Sequence, residues 1–175
     1  MLSIVGNNPG IETSPVFETN NEIWVMNGKG ATLPRYDAVF QIHQPVDWGG
    51  GWSQRWLQEN TTVPVYMRKQ YSEIPMSTPY PFISVFAMIR NVKHRQQELM
   101  FSTGTPAYAL ALAVLMEKPE IQLIGLDMNE REYKEQAESF AFWVGFAAGR
   151  GIKVDIDCLD DIFDRPLYGE KPLSR

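Results

Sequence analysis

Short apolar runs that end at glycine, asparagine or proline mark the first half of the chain. Residues 2–5 (LSIV) break into Gly6-Asn7-Asn8-Pro9-Gly10, which reads as a buried strand followed by a turn. Residues 22–27 (EIWVMN) predict a second strand, closed by Asn27 and Gly28. Residues 38–43 (AVFQIH) predict a third. Residues 63–67 (VPVYM) predict a fourth, which Pro64 demotes to a sheet edge or restricts to a strand start. Residues 82–90 (FISVFAMIR) fit strand and helix equally. Residues 45–60, with Gly49-Gly50-Gly51, read as a loop-rich lid or wall above the sheet.

The second half is more regular. Ser102-Thr103-Gly104-Thr105-Pro106 opens a run rich in Ala and Leu that continues to Met116. These are good helix formers, and proline suits a first helical turn because it needs no amide partner there. Pro119 stops that helix, and residues 121–126 (IQLIGL) are a nearly continuous apolar strand, as expected when both faces of a parallel sheet are covered. Residues 132–149 predict a long helix ended by Gly-Arg-Gly, residues 152–156 (IKVDI) a further strand, and residues 159–163 one helical turn. Helix, strand, helix, strand is the order of right-handed parallel crossovers. The expected fold is a single α/β domain over residues 1–175, a three-layer Rossmann-like open and mainly parallel sheet with helices on both faces.

Charge and composition narrow the function. Sixteen basic against 21 acidic side chains leave a net charge of −5. Duplex nucleic acid is therefore not an expected partner, since its phosphates need a basic face. Cys158 is the single cysteine, which excludes an internal disulfide or a cysteine-built zinc site and fits a reducing cytoplasm. The opening MLSIVGNNPG lacks a basic leader with a long apolar run, so no signal peptide is expected. The apolar stretches 106–116 and 140–148 fall short of the roughly 20 residues that span a bilayer, so no membrane partner is expected. Five Trp, seven Tyr and nine Phe are a heavy aromatic load that fits a homodimer. Trp48, Trp52 and Trp56 lie among Gly and polar residues and would line a surface cleft or an apolar interaction patch.

Ligands of open α/β sheets bind beyond the C-terminal ends of the strands. Those ends supply Gly6, Asn7 and Asn8, then Asn27, then His43, then Asp127. Ser102, Thr103 and Gly104 precede a helix N-terminus, whose free amides and dipole favour anions. Each feature also has a plain structural role: a turn at Gly6–Gly10, a positive φ at Asn27, helix capping by the Ser-Thr-Gly-Thr-Pro segment and by Asp127. Together they predict a site for a phosphate-bearing ligand. His43 is the first choice of base, and Asp127 the second. His94 belongs to a basic cluster, residues 90–95. No HExxH, CxxC pair, Walker loop, nucleophile elbow or GxGxxG is present, and scattered acids such as Asp127, Glu130 and Glu132 give no metal site.

Gly6-Asn7-Asn8-Pro9-Gly10 resembles the Gly-Asn-Gly-Pro-Ser turn of bacterial sialyltransferases that use CMP-sialic acid. Asn27 is similar to the asparagine ending their second strand. Ser102-Thr103-Gly104, an Ala/Leu-rich helix and IQLIGLDM resemble their Thr-Ser-Gly, helix and strand ending Gly-Ile-Asp. The layout is also similar to that of proteins resembling the archaeal 6-hydroxymethylpterin diphosphokinase, and to small phage-encoded proteins. The resemblance implies a nucleotide near Gly6, Asn7, Asn8, Asn27, Ser102, Thr103 and Gly104, with Asn7 and Asn27 bonded to phosphate or ribose and Asp127 shaping the next loop. The sialyltransferases carry a catalytic histidine after the Gly-Ile-Asp strand, whereas no histidine follows His94 here. His43 would then act from a different strand, and Tyr133 and Tyr168 are the later tyrosines available for phosphate.

The expectation is a small transferase that binds a nucleotide or nucleotide-sugar donor. The alternatives are a non-catalytic nucleotide-binding accessory protein and a diphosphokinase-like phosphotransferase, for which Mg²⁺ would be expected.

Overall fold

The computed structural model describes residues 1–44, 51–59, 61–94, 97–98, 102–127 and 136–157. Seven parallel strands form one sheet. They are β1 (Leu2–Val5), β2 (Glu22–Met26), β3 (Ala38–Gln41), β4 (Val65–Met67), β5 (Ser77–Pro79), β8 (Glu120–Ile124) and β9 (Lys153–Asp157). Their spatial order is β5-β4-β3-β2-β1-β8-β9. β6 (Lys93–His94) and β7 (Gln97–Glu98) make a separate antiparallel pair. The fold is thus an open α/β, Rossmann-like sheet.

The chain steps outward from β1 to β5, then returns to β8 beside β1. Right-handed crossovers put outward and return connections on opposite faces. The packing follows that rule. One face is covered by α2 (Phe82–Ala87), α3 (Thr105–Leu115) and α4 (Ala137–Gly149), whose Val85, Leu110, Phe140 and Trp143 pack with Ile4, Trp24, Phe40 and Leu123. The other face is covered by α1 (Gly51–Glu59) and short 3-10 turns, through Ile11, Val16, Leu33, Trp56 and Leu57. α3 is apolar all round, with nine of its 11 residues buried, because it lies between the sheet, α2 and α4.

Two open readings are decided and one expectation is corrected. Val65–Met67 lies inside the sheet between β3 and β5, so Pro64 marks a strand start and not an edge. The edge strand on this side, β5, carries Pro79 in a Ser-Thr-Pro run too short to show a pattern. Residues 82–87 are helical. Residues 51–59 of the expected lid form α1, and Trp56 is core, 8% exposed and edge-on to Tyr36 at 5.9 Å. Trp48, Glu130, Glu132, Tyr133, Cys158, residues 159–163 and Tyr168 lie outside the described residues.

Among the described residues no helix is long and apolar enough to cross a membrane.

Candidate functional site

The order of strands reverses between β1 and β8, and the ends of these two strands are locked together. Gly6 N–H donates to the Ile124 carbonyl at 2.8 Å, and Asn8 N–H donates to the Gly125 carbonyl at 3.2 Å. A Cβ on Gly6 would sit 2.1 Å from the Gly125 oxygen, so this approach needs glycine. Gly125 itself has φ +62°, a left-handed turn that L side chains rarely adopt. Glycine is needed at this point for backbone contact across the switch point.

Asn27 ends β2 with φ 53°. The turn role is thus observed, and its Oδ1 is buried without a hydrogen-bond partner among the described residues. Asn8 Nδ2 and Gln41 Oε1 are in the same condition. These three amides follow or end β1, β2 and β3, which are neighbours at the C-terminal edge. Unpaired buried polar atoms are uncommon and call for a water, an ion or a ligand. Gln41 is 2% exposed and was not singled out from sequence, because one polar residue in AVFQIH looks like ordinary strand alternation. Asn7 is exposed, and Asp127 stands three residues beyond the end of β8.

A cleft of 200 Å³ opens beside these strand ends. Ile42, His43 and Gln44 from the end of β3 form one side, and Ser102 to Thr105 at the start of α3 form another. Arg68, directly after β4, and Tyr108, one turn into α3, complete the lining. Sequence reasoning found His43, Ser102, Thr103 and Gly104 but missed Arg68 and Tyr108. The signal for Arg68 was its place just after an apolar strand; Tyr108 lies in a run that reads as core. Among the described lining residues of this cleft, Asn7, Asn8, Asn27 and Asp127 do not occur.

The Ser-Thr-Gly segment is anchored by α4. Trp143 Nε1 donates to Ser102 Oγ at 3.0 Å. Thr103 N–H donates to Ser139 Oγ at 3.1 Å, and the two hydroxyls lie 2.8 Å apart. Ser139 Oγ donates in turn to the Gln136 carbonyl at 3.1 Å. Both hydroxyls thus hold backbone position. The segment does supply the helix cap: Gly104 is the N-cap, without a side-chain cap bond. The first turn of α3 keeps its dipole pointed at the cleft, with Pro106 supplying the helical φ.

Burial raises the Tyr108 phenol above its ordinary range, with Arg68 acting in the opposite sense. Tyr108 therefore stays protonated at neutral pH and can donate a hydrogen bond. Arg68 is exposed, and among the described residues it makes no ion pair. The cleft thus combines a guanidinium, a phenol, a helix N-terminus and an imidazole, the donor set for an anionic oxygen group. Among the described residues no cluster of three His, Cys, Asp or Glu could hold a metal ion.

No protein-family model, no curated protein and no solved structure matches this chain significantly.

Proposed function

We propose that the protein is a small transferase that binds a nucleotide or nucleotide-sugar donor at the C-terminal edge of its sheet. One observation carries this reading: His43, Arg68 and the first turn of α3 line a single cleft, although they come from distant parts of the chain. The donor phosphate sits against the α3 amides and the Arg68 guanidinium, where charge-assisted hydrogen bonds are strongest. The nucleoside extends toward Asn27 and Asn8. The single cysteine fits a cytoplasmic setting for such an enzyme.

In glycosyl transfer the acceptor oxygen bonds to the anomeric carbon as the bond from that carbon to the phosphate oxygen breaks. The leaving phosphate keeps the electron pair, and its growing charge faces Arg68 and the helix dipole. The acceptor hydroxyl proton passes to the His43 imidazole.

A thermal-shift panel of CMP, CDP, GTP, ATP and sugar nucleotides tests the reading. A ligand at about 100 times its Kd adds about 2.7 kcal/mol, which moves the midpoint by roughly 5–10 °C for a domain of this size. Arg68→Ala should remove most of that shift. His43→Ala should keep it while abolishing release of nucleoside phosphate from the matching nucleotide-sugar. No shift with any nucleotide would reject the proposal, and a shift with unchanged release in His43→Ala would remove His43 from the chemistry.

A further inference from the structure

The cleft does not end at Ser102. Arg68, Ser102 and Tyr108 also line a second hollow of 340 Å³, whose other walls among the described residues are Phe82 and Phe86. Its size is at the lower end of ordinary small-molecule pockets.

The walls have a defined geometry. Phe82 and Phe86 are four residues apart on α2, so they share a side of that helix, and their rings lie near parallel with centroids 6.4 Å apart. Phe82 stands edge-on to Tyr108 at 5.8 Å and 82°. Tyr108 is held in turn by Tyr80, which packs edge-on at 5.2 Å and donates its hydroxyl hydrogen to the Tyr108 carbonyl at 2.8 Å. Phe82, Phe86 and Tyr108 are each half-buried, with surface still available in the hollow. The exposed Arg68 guanidinium stands at the boundary with the polar cleft.

We infer that this recess is a second binding site, for a flat ring molecule that carries a carboxylate or phosphate, and that it holds the acceptor. The acceptor role rests on the transferase reading above; the binding itself does not. Aromatic walls set near a right angle give a planar ligand one offset-stacked and one edge-to-face contact. The guanidinium adds a bidentate partner for an anionic substituent, which a neutral ligand cannot use. Because Ser102, Arg68 and Tyr108 border both hollows, a ring in the recess adjoins the donor phosphate. A hydroxyl on that ring is then placed on the side where His43 can take its proton.

Titration calorimetry with 2-naphthoate, 2-naphthamide and cyclohexanecarboxylate tests the site on the full chain. Naphthoate should bind, and the neutral amide should bind about tenfold or more weakly, as loss of a charge-assisted contact predicts. Cyclohexanecarboxylate should also be weaker. Phe86→Leu and, as an independent variant, Phe82→Leu should each weaken naphthoate while leaving the thermal shift with nucleotide unchanged. Arg68→Ala should weaken both ligands. Absence of naphthoate binding, equal binding of the amide, or unaltered affinity in both phenylalanine variants would overturn the inference. Naphthoate binding without any nucleotide shift would reject the donor reading alone and leave the ring site standing.

Discussion

Two arginines occupy opposite ends of the same sheet, and their surroundings differ sharply. Arg35 lies before β3, at the N-terminal edge. Its Nε donates to the Phe17 carbonyl at 3.2 Å, and one terminal nitrogen donates to the Thr19 and Asn21 carbonyls at 2.6 and 2.8 Å. Asp37, 3.5 Å from the other nitrogen, accepts a 2.7 Å bond from the Ile23 amide. Arg68 lies after β4, at the C-terminal edge, and has no ion-pair partner among the described residues. The contrast extends along both edges. At the N-terminal edge Glu22 pairs with Lys118 and accepts from Trp24 Nε1 at 2.7 Å, and Glu120 pairs with Lys153. At the other edge Asn8, Asn27 and Gln41 keep buried atoms with no hydrogen-bond partner among the described residues. Polar groups that satisfy one another hold the fold; polar groups left unsatisfied carry a cost that binding can repay.

The largest test of this comparison is Gly6→Ala. The new methyl would meet a backbone oxygen that cannot move aside without parting β1 from β8. It should lower stability by about 3 kcal/mol or more, read by urea unfolding, and should disturb the whole C-terminal edge. A loss under about 1 kcal/mol would mean that the switch-point contact is loose.

Arg35→Ala should cost about 2 kcal/mol, because three carbonyls lose a charged donor, while nucleotide binding stays unchanged. Arg68→Ala should do the reverse, with stability within about 0.5 kcal/mol of the parent. Equal stability losses in the two variants would erase the distinction between the edges.

Gln41→Met should raise the stability of the free protein by about 1 kcal/mol, since it replaces an unpaired buried carbonyl with an apolar group of similar length. Reduced nucleotide affinity in the same variant would mark Gln41 as part of the ligand site. A fall in stability would show that Gln41 holds the fold, as its counterparts at the opposite edge do.

The smallest effect concerns pH. The hydrogen bond from Lys153 holds the Glu120 carboxyl below its usual range, and Glu120 raises the Lys153 ammonium. The lowered carboxyl contributes stability above its unfolded pKa and loses it as pH falls through the folded value. The raised ammonium contributes below its unfolded pKa and loses it as pH rises through the folded value. The pair therefore supports the fold between those two ranges; Lys153 is exposed and Glu120 only partly covered, so its effect is small. Glu120→Gln should flatten the acid limb of a stability-against-pH curve slightly. An unchanged acid limb would assign it to the other carboxylates.

Local chemistry alone determined the strands at LSIV, EIWVM and IQLI, the helix opened by Thr105-Pro106, the turn at Asn27 and the parallel α/β plan. Each rests on side-chain pattern, capping or backbone preference within a few residues. Other features were decided only when distant segments met. Pro64 is tolerated inside the sheet because its carbonyl, not a missing amide, meets Val39 N–H at 2.9 Å. Trp56 became core because α1 lies on the sheet. Ser102 and Thr103 spend their hydroxyls on α4, 36 to 41 residues away in sequence. Arg68, Tyr108 and His43 share a cleft because parallel crossovers bring strand ends and helix starts to one edge. Periodicity encodes which residues are buried; it carries no information about which polar side chains will meet.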